Sequence, residues 1–108
     1  MPREAIEGFI AAFKTAYKPN STIPTLWMVV TRGALFFCST HKTRGIYVQA
    51  SNAEIDSVKL NRGRYFGLRS LTVVFRDLGK EDLVVSMSTE VDFDEIESVL
   101  RSLKYQIL

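Results

Sequence analysis

The end of the chain carries the feature that most constrains its fold. A series of short alternating apolar runs leads into a final segment, DFDEIESVLRSLKYQIL at 92–108, whose apolar residues recur at spacings of 3, 4, 3 and 4. That period places them on one face of an amphipathic helix: Phe93, Ile96, Leu100, Leu103 and Ile107. Asp92 is positioned as the N-cap, with Glu95 three residues on to complete a capping box. The sequence therefore predicts a strand-rich domain closed by one C-terminal helix, which is more typical of a small binding module than of an enzyme.

The bulk composition indicates one small domain. A chain of 108 residues with 46% apolar and 11% aromatic residues can fill one core, so we expect a single domain over 1–108. Its longest apolar run falls well short of the roughly 20 residues of a membrane-spanning helix, and its N-terminus lacks the pattern of a secretory signal. The single cysteine, Cys38, excludes an internal disulfide and fits a reducing compartment, so we expect a cytoplasmic protein. Because Cys38 lies in an apolar run, a buried, unreactive thiol is favoured over a nucleophile.

Alternating apolar residues predict six strands in the middle of the chain. They cover 25–31, 34–39, 45–50, 54–60, 71–77 and 82–88. A tight turn at Gly33 joins the first two, and the turn LGKE at 78–81 joins the last two. The spacing of three between Ile55 and Val58 breaks the alternation and predicts a bend or bulge near Asp56.

Residues 9–17 fit two patterns. Helical spacing connects Ile6, Phe9, Ile10, Phe13 and Tyr17, and the neighbouring alanines agree with it, so the local pattern favours a helix. Strict alternation connects another set, which would line one face of a strand: Phe9, Ala11, Phe13, Thr15 and Tyr17.

Four runs of the chain resemble one known family. TLWMVVTRGALFFCST at 25–40 resembles the T-x-x-x-L-x-F hairpin of GRAM and related pleckstrin-homology-like (PH-like) domains. IYVQASNAEIDSVKL at 46–60 is similar to the fourth and fifth strands of that family, and LTVVFRDLGKEDLVVSMS at 71–88 to the sixth and seventh. FDEIESVLRSL at 93–103 resembles the capping helix. The resemblance covers roughly residues 9–104 and rests on pattern, without a diagnostic catalytic signature.

The resemblance implies a mainly β fold with seven strands. In the family these strands form two near-orthogonal sheets, a barrel or sandwich capped by one C-terminal α-helix. A first strand is then required, and only residues 9–17 can supply it, after a short helical turn at 3–8. Tertiary context commonly overrides local helix propensity, so we expect the strand. One departure is that pleckstrin-homology domains often have a tryptophan in the C-terminal helix, whereas Trp27 lies in a strand; this argues against the lipid-binding subgroup and leaves the fold in place.

The residue inventory argues against catalysis and against a metal or cofactor. His41 is the only histidine, so a His and Cys metal cluster cannot form. Ser39 and Thr40 lie beside His41, but no orienting carboxylate or oxyanion hole is indicated nearby. VTRGALFF and NRGRYFG lack the spacing of a phosphate-binding glycine loop. We expect neither an enzyme nor a bound cofactor.

The net charge of +2 conceals two regions of opposite sign. Residues 40–76 have a net charge of +5, and residues 77–97 have a net charge of −7. The two regions predict either a molecular dipole or two ordinary solvated surfaces.

The resemblance implies that basic loops bind the ligand. The candidate ligand-binding residues are Lys18, Lys42, Arg44, Arg62, Arg64 and Tyr65. The family's usual phosphoinositide site would take Lys18, Lys42 and Arg44, but Glu81 and Asp82 map there too and oppose an anion. A less usual site would take Lys18, Arg62 and Arg64 without acidic neighbours. Because a loop such as NRGRYFG needs only polarity, we expect Arg62 and Arg64 to face an anion rather than to serve the fold.

The predicted function is a non-catalytic binding module, an adaptor within a larger membrane-trafficking or scaffolding protein. PH-like domains often take a peptide between a sheet edge and the C-terminal helix, so a protein or acidic peptide is the expected partner. Tyr47, Tyr65 and Phe66 would be either contact anchors or closures of the core. The alternatives are weak binding to phosphoinositides or anionic endomembranes, and a profilin- or roadblock-like α/β scaffold. Nucleic acid is not expected, because one basic loop is too small a footprint.

Overall fold

The computed structural model describes residues 8–15, 27–38, 47–63, 69–88 and 90–108, and within them the chain has seven strands and one α-helix. The strands are β1 (Phe9–Lys14), β2 (Trp27–Thr31), β3 (Ala34–Cys38), β4 (Tyr47–Ser51), β5 (Ile55–Asn61), β6 (Ser70–Phe75) and β7 (Leu83–Ser86). A short 3₁₀ helix, Asn52–Glu54, joins β4 to β5, and the α-helix is α1 (Phe93–Ser102). The prediction of a mainly β fold with one C-terminal helix is confirmed.

The strands form two antiparallel sheets, in the orders β1-β2-β3-β4 and β5-β6-β7. A bridge between Thr15 and Met87 connects the end of β1 to the segment after β7, and the Ser88 amide donates to the Lys14 carbonyl at 3.1 Å. The main core contains buried residues from both sheets and from α1, so the described elements form a sandwich-like arrangement. The barrel form of the expected fold is not seen in them, because the sheets do not close into one.

Alternation along the strands decides which residues of the four-stranded sheet face the core. Phe13, Met28 and Phe37 lie opposite one another across β1, β2 and β3, and all three are buried in the main core. In the neighbouring row of paired residues, Ala12 lies opposite Val29 and Val29 lies opposite Phe36. This row belongs to the other face of the sheet, where Val29 and Phe36 form a small second apolar cluster.

The pairing of β1 resolves the ambiguity at residues 9–17. Phe9–Lys14 is a strand, so the helical reading is wrong for those residues. Pairing with β2 satisfies the backbone, and alternation buries Phe13, which shows that tertiary context overrides the helix propensity of the alanines. The short helical turn expected at 3–8 lies outside the described residues, apart from Gly8.

The predicted irregularity near Asp56 is confirmed. Ile55 pairs with Phe75 and Ser57 pairs with Val74, which leaves Asp56 without an opposite residue on β6. A bulge of this kind bends the strand and turns a side chain away from its usual position. It directs Asp56 to an exposed position at the start of β5.

The helix begins as predicted but ends earlier. Asp92 accepts a hydrogen bond from the Asp94 amide at 2.9 Å, which caps the N-terminus. The predicted stripe continues to Ile107, but α1 ends at Ser102, so the helix boundary expected at the last residues is wrong. The Lys104 amide donates to the Arg101 carbonyl at 2.9 Å and the Tyr105 amide to the Leu100 carbonyl at 3.1 Å, which is a Schellman motif.

Candidate functional site

The structure describes one of the six predicted ligand-binding residues. Lys18, Lys42, Arg44, Arg64 and Tyr65 lie outside the described residues, as does Phe66. Tyr47 begins β4, and its side chain is not described. Arg62 is described, just beyond the end of β5.

Arg62 has a structural partner. Its Nη1 lies 2.8 Å from Oδ1 of Asp94, and its Nη2 lies 3.5 Å from Oε1 of Glu97. Both carboxylates belong to the first half of α1, so this arginine ties the end of β5 to the helix. The expectation that Arg62 has no role in the fold is therefore wrong.

The basic and acidic regions of the chain meet each other. Arg69 donates to the carbonyl of Val91 and places its guanidinium 4.5 Å from the centre of the Phe93 ring, beside the contact of Arg62 with the helix. Lys80, from the acidic region, lies 3.4 Å from Glu54 of the basic region. At the contacts of Arg62 and Lys80, opposite charges from the two regions offset each other locally.

The edge of β5 beside the helix is occupied by the chain itself. The Val58 amide donates to the Gln106 carbonyl at 2.8 Å, and the Leu108 amide donates to the Val58 carbonyl at 2.9 Å. These bonds place Ile107 opposite Val58 in a parallel bridge. The predicted peptide groove between a sheet edge and the helix therefore already contains an extended segment, residues 106–108.

A different surface exposes large apolar side chains. Phe9 is 53% exposed, Ile10 is 37% exposed and Trp27 is 39% exposed. They lie along β1 and at the start of β2, with exposed Ala12 between them. We call these four residues the β1 strip; at about 3.4 Å per residue, β1 makes it roughly 17 Å long.

Basic residues stand at both ends of the β1 strip. Lys14 pairs with Trp27 across the two strands, and its Nζ lies 4.0 Å from Glu90, the outer limit of an ion pair. Arg32 is exposed at the other end, where its amide donates to the carbonyl of Gly8 at 3.0 Å. The strip is therefore an apolar surface between two cations.

Sequence reasoning did not single out this strip. The predicted alternation placed Phe9 on the same face as Ala11 and Phe13, whereas the bulge after Phe9 leaves it exposed. Trp27 was placed on the face opposite Met28. Either face could have been the buried one, because both contain large apolar residues. The signal was present in the pattern, but only the packing of the second sheet and α1 against Phe13 and Met28 shows which face is covered.

Cys38 is the single cysteine of the chain and lies at the end of β3. Burial raises the pKa of the half-buried Cys38 thiol, which disfavours the reactive thiolate. Within the described ranges, no group of three or more His, Cys, Asp or Glu side chains could hold a metal ion. No helix in those ranges has the length and apolar character needed to cross a bilayer.

Comparison with known proteins adds no assignment. No protein-family model matches the chain, and no curated protein matches it.

Proposed function

We propose that the chain is a non-catalytic, PH-like binding module that recognises a partner protein through the β1 strip. The observation that carries the proposal is the concentration of exposed Phe9, Ile10 and Trp27 on one edge of the four-stranded sheet. Contiguous exposed apolar surface commonly marks a site of protein interaction. Aromatic residues, tryptophan above all, are enriched among the residues that dominate binding energy.

The charges beside the strip define the partner's chemistry. Lys14 and Arg32 flank an apolar surface, so the complementary partner is a segment with apolar residues in its centre and acidic residues at its ends. The acidic ends would strengthen long-range attraction and speed association, while the apolar centre would supply most of the affinity. This partner agrees with the acidic segment expected from the sequence.

Side-chain packing is the proposed mode of recognition, in preference to addition of a strand. The register of β1 shifts between Phe9 and Ala11, so Ile10 is an extra residue opposite β2. A bulge on an edge strand interrupts the regular ladder that an added strand would need. The bulge also adds Ile10 to the exposed apolar set.

The setting we propose is an adaptor role in the cytoplasm, within a trafficking or scaffolding assembly. The single cysteine supports a reducing compartment, because one thiol cannot form an internal disulfide.

Ile10→Lys and Leu78→Lys form a matched pair that tests this function. Both replace an exposed apolar side chain by lysine, but Leu78 lies in the β6–β7 turn, away from the strip, and is 99% exposed. Partners captured from a lysate by each variant would be quantified against the wild-type protein, with circular dichroism to verify the fold. We expect Ile10→Lys to reduce the main captured partner at least about tenfold, since loss of a central apolar contact costs more than about 1.4 kcal/mol, while Leu78→Lys retains it.

Two further measurements separate the alternatives. Sedimentation velocity would show whether the partner is a second copy of this chain, in which case Ile10→Lys would reduce self-association. Sedimentation with vesicles containing phosphatidylserine or phosphoinositide would show whether the primary ligand is an anionic membrane. Equal capture by both lysine variants, or vesicle binding with no protein partner, would overturn the assignment of the strip as a protein-recognition surface.

A further inference from the structure

A polar cleft of about 220 Å³ lies at the C-terminal end of α1. Four parts of the chain form it: the 3₁₀ helix, the start of β5, the residue after β6, and the segment that follows α1. Its lining is Asn52, Ile55, Asp56, Arg76, Leu103, Lys104, Tyr105 and Gln106. Six of the eight lining residues carry hydrogen-bonding side chains. The cleft does not contain any residue of the β1 strip.

Two cations converge on this cleft without an ion-pair partner in the described part of the chain. Arg76 reaches it from the end of β6 and Lys104 from the reversal after α1. By contrast, the neighbouring cations Lys80 and Arg101 each have a carboxylate within 4 Å. Among the described residues, Asp56 is the one acidic side chain that lines the cleft, so the described lining has a net charge of +1.

Lys104 occupies a backbone conformation that disfavours lysine. Its φ is +68°, and within the described residues it is the only non-glycine residue with positive φ. It stands at the position of a Schellman motif where glycine is usually found, because a Cβ is crowded in that conformation. A cation near the helix C-terminus also interacts favourably with the helix dipole, but Arg101 already supplies such a cation in the last turn. The strained lysine therefore coincides with a cationic cleft, and an outlier of this kind is a reason to look for a function.

We propose that this cleft binds a small soluble phosphate monoester that carries at least one hydroxyl group. The planar guanidinium of Arg76 suits two oxygens of a phosphate, and the ammonium of Lys104 adds a second positive charge. A phosphate monoester has a charge of about −1.5 to −2 near pH 7. It therefore balances the two cations more closely than a ligand with a single carboxylate would.

The carboxylate of Asp56 is the reason why the ligand must carry a hydroxyl group. A carboxylate accepts hydrogen bonds and repels a phosphate, so inorganic phosphate alone would meet an unfavourable neighbour. A hydroxyl on the ester can donate to Asp56, and Gln106 offers an amide group at the same cleft, whereas the amide of Asn52 is already bonded to Tyr105 and to the Arg32 carbonyl. The volume is below the roughly 300–1,000 Å³ of pockets for drug-sized molecules, so the ligand is small.

Two variants test the proposal: Lys104→Gly should raise stability but weaken binding, and Arg76→Gln should weaken binding. The probes are glycerol 3-phosphate and inorganic phosphate, measured by titration calorimetry and by thermal unfolding with and without probe. Lys104→Gly removes the strained Cβ, so we expect a higher melting temperature without ligand. Both variants should weaken glycerol 3-phosphate binding about tenfold or more, because each removes a charged hydrogen-bond donor.

Lys59→Gln is the matched control. It removes the same charge from an exposed position on β5 that does not line the cleft, and it should leave the affinity unchanged. Asp56→Asn should reduce the preference for glycerol 3-phosphate over inorganic phosphate. Vesicles containing lysophosphatidic acid, which has both a phosphate monoester and a hydroxyl group, form a separate arm: binding to them that Arg76→Gln abolishes would identify a lipid as the source of the phosphate group and overturn the assignment of a soluble ligand. The proposal is wrong if no phosphate compound binds, or if Lys59→Gln weakens binding as much as the two cleft variants do.

Discussion

The hydroxyl of Tyr105 donates a hydrogen bond to Oδ1 of Asn52, 53 residues earlier in the chain. Nδ2 of Asn52 in turn donates to the carbonyl of Arg32 at 2.8 Å. Asn52 therefore connects the segment after α1 to the turn between β2 and β3. One amide side chain joins three parts of the fold that are remote in sequence.

Tyr105→Phe should destabilise the fold at neutral pH. The change removes the hydroxyl and leaves Oδ1 of Asn52 without its donor, which at a half-buried site costs about 1 kcal/mol. The free energy of unfolding in urea would be compared with that of Tyr65→Phe, a second tyrosine change of the same chemistry. An unchanged midpoint for Tyr105→Phe would show that the hydrogen bond contributes nothing net.

Stability should also fall at high pH through Tyr105. Burial raises the pKa of Tyr105 to about 12, from an ordinary value of 10.0. The folded state favours the neutral phenol, so the contribution is complete below pH 10 and is lost as the pH rises from 10 to 12. At 1.36 kcal/mol per pKa unit the shift corresponds to about 2.7 kcal/mol, and solvent screening of this partly exposed group lowers the expected loss to about 1–2 kcal/mol. Urea midpoints measured across this range should fall more steeply for the wild type than for Tyr105→Phe.

Leu100→Ala should destabilise the protein severely. Leu100 is on the buried face of α1, in the main core that also contains residues of both sheets. Truncation of a buried leucine to alanine costs about 2–5 kcal/mol through lost transfer energy and a residual cavity. Ser98→Ala, on the exposed face of the same helix, should change stability by no more than about 0.5 kcal/mol. Similar losses for the two variants would contradict the packing of α1.

Arg62 and Asp94 should show a measurable coupling energy. Their 2.8 Å contact is at the surface, so a double-mutant cycle with Arg62→Ala and Asp94→Asn should give about 0.2–1 kcal/mol. The coupling should shrink as salt is raised from 0.05 to about 1 M, because screening weakens an exposed pair. Lys59→Ala replaces Arg62→Ala in a control cycle, which should give no coupling.

Lys104→Gly should stabilise the ligand-free protein. Glycine adopts a φ of +68° without the Cβ crowding that costs other residues about 1–2 kcal/mol. We expect a gain of about 1 kcal/mol in the free energy of unfolding. Lys104→Ala loses the same charge but keeps the Cβ, so it should show no comparable gain. Equal effects of the two changes would attribute the result to charge rather than to backbone strain.

Local patterns predicted most of the fold for identifiable reasons. Met28 and Val30 share a face because strand side chains alternate, as predicted, and the structure places both in the main core. The bulge at Asp56 followed from a broken alternation, and the cap at Asp92 from a short acceptor side chain ahead of an apolar stripe. These features depend on neighbours in sequence, so the sequence alone contains them.

The candidate sites were less predictable, because each depends on contacts between remote residues. From the sequence, Arg62 was expected to be available to a ligand. In the structure it lies beside Asp94 and Glu97. The cleft of Arg76 and Lys104 could not be anticipated, because these residues are 28 positions apart and approach each other only when α1 docks. No periodicity within either segment reports that approach.

The sequence by itself determined the element types, their approximate boundaries and which residues line the apolar face of each element. The reason is that backbone geometry gives the buried residues a period of 2 in a strand and 3.6 in a helix. Only the tertiary structure decided that Phe9–Lys14 is a strand, because pairing with β2 outweighs the helix propensity of its alanines. It also decided that Ile107 leaves the helical stripe to pair with Val58. Both outcomes depend on the backbone of a remote strand, and hydrogen bonds to that backbone can outweigh small differences in local propensity.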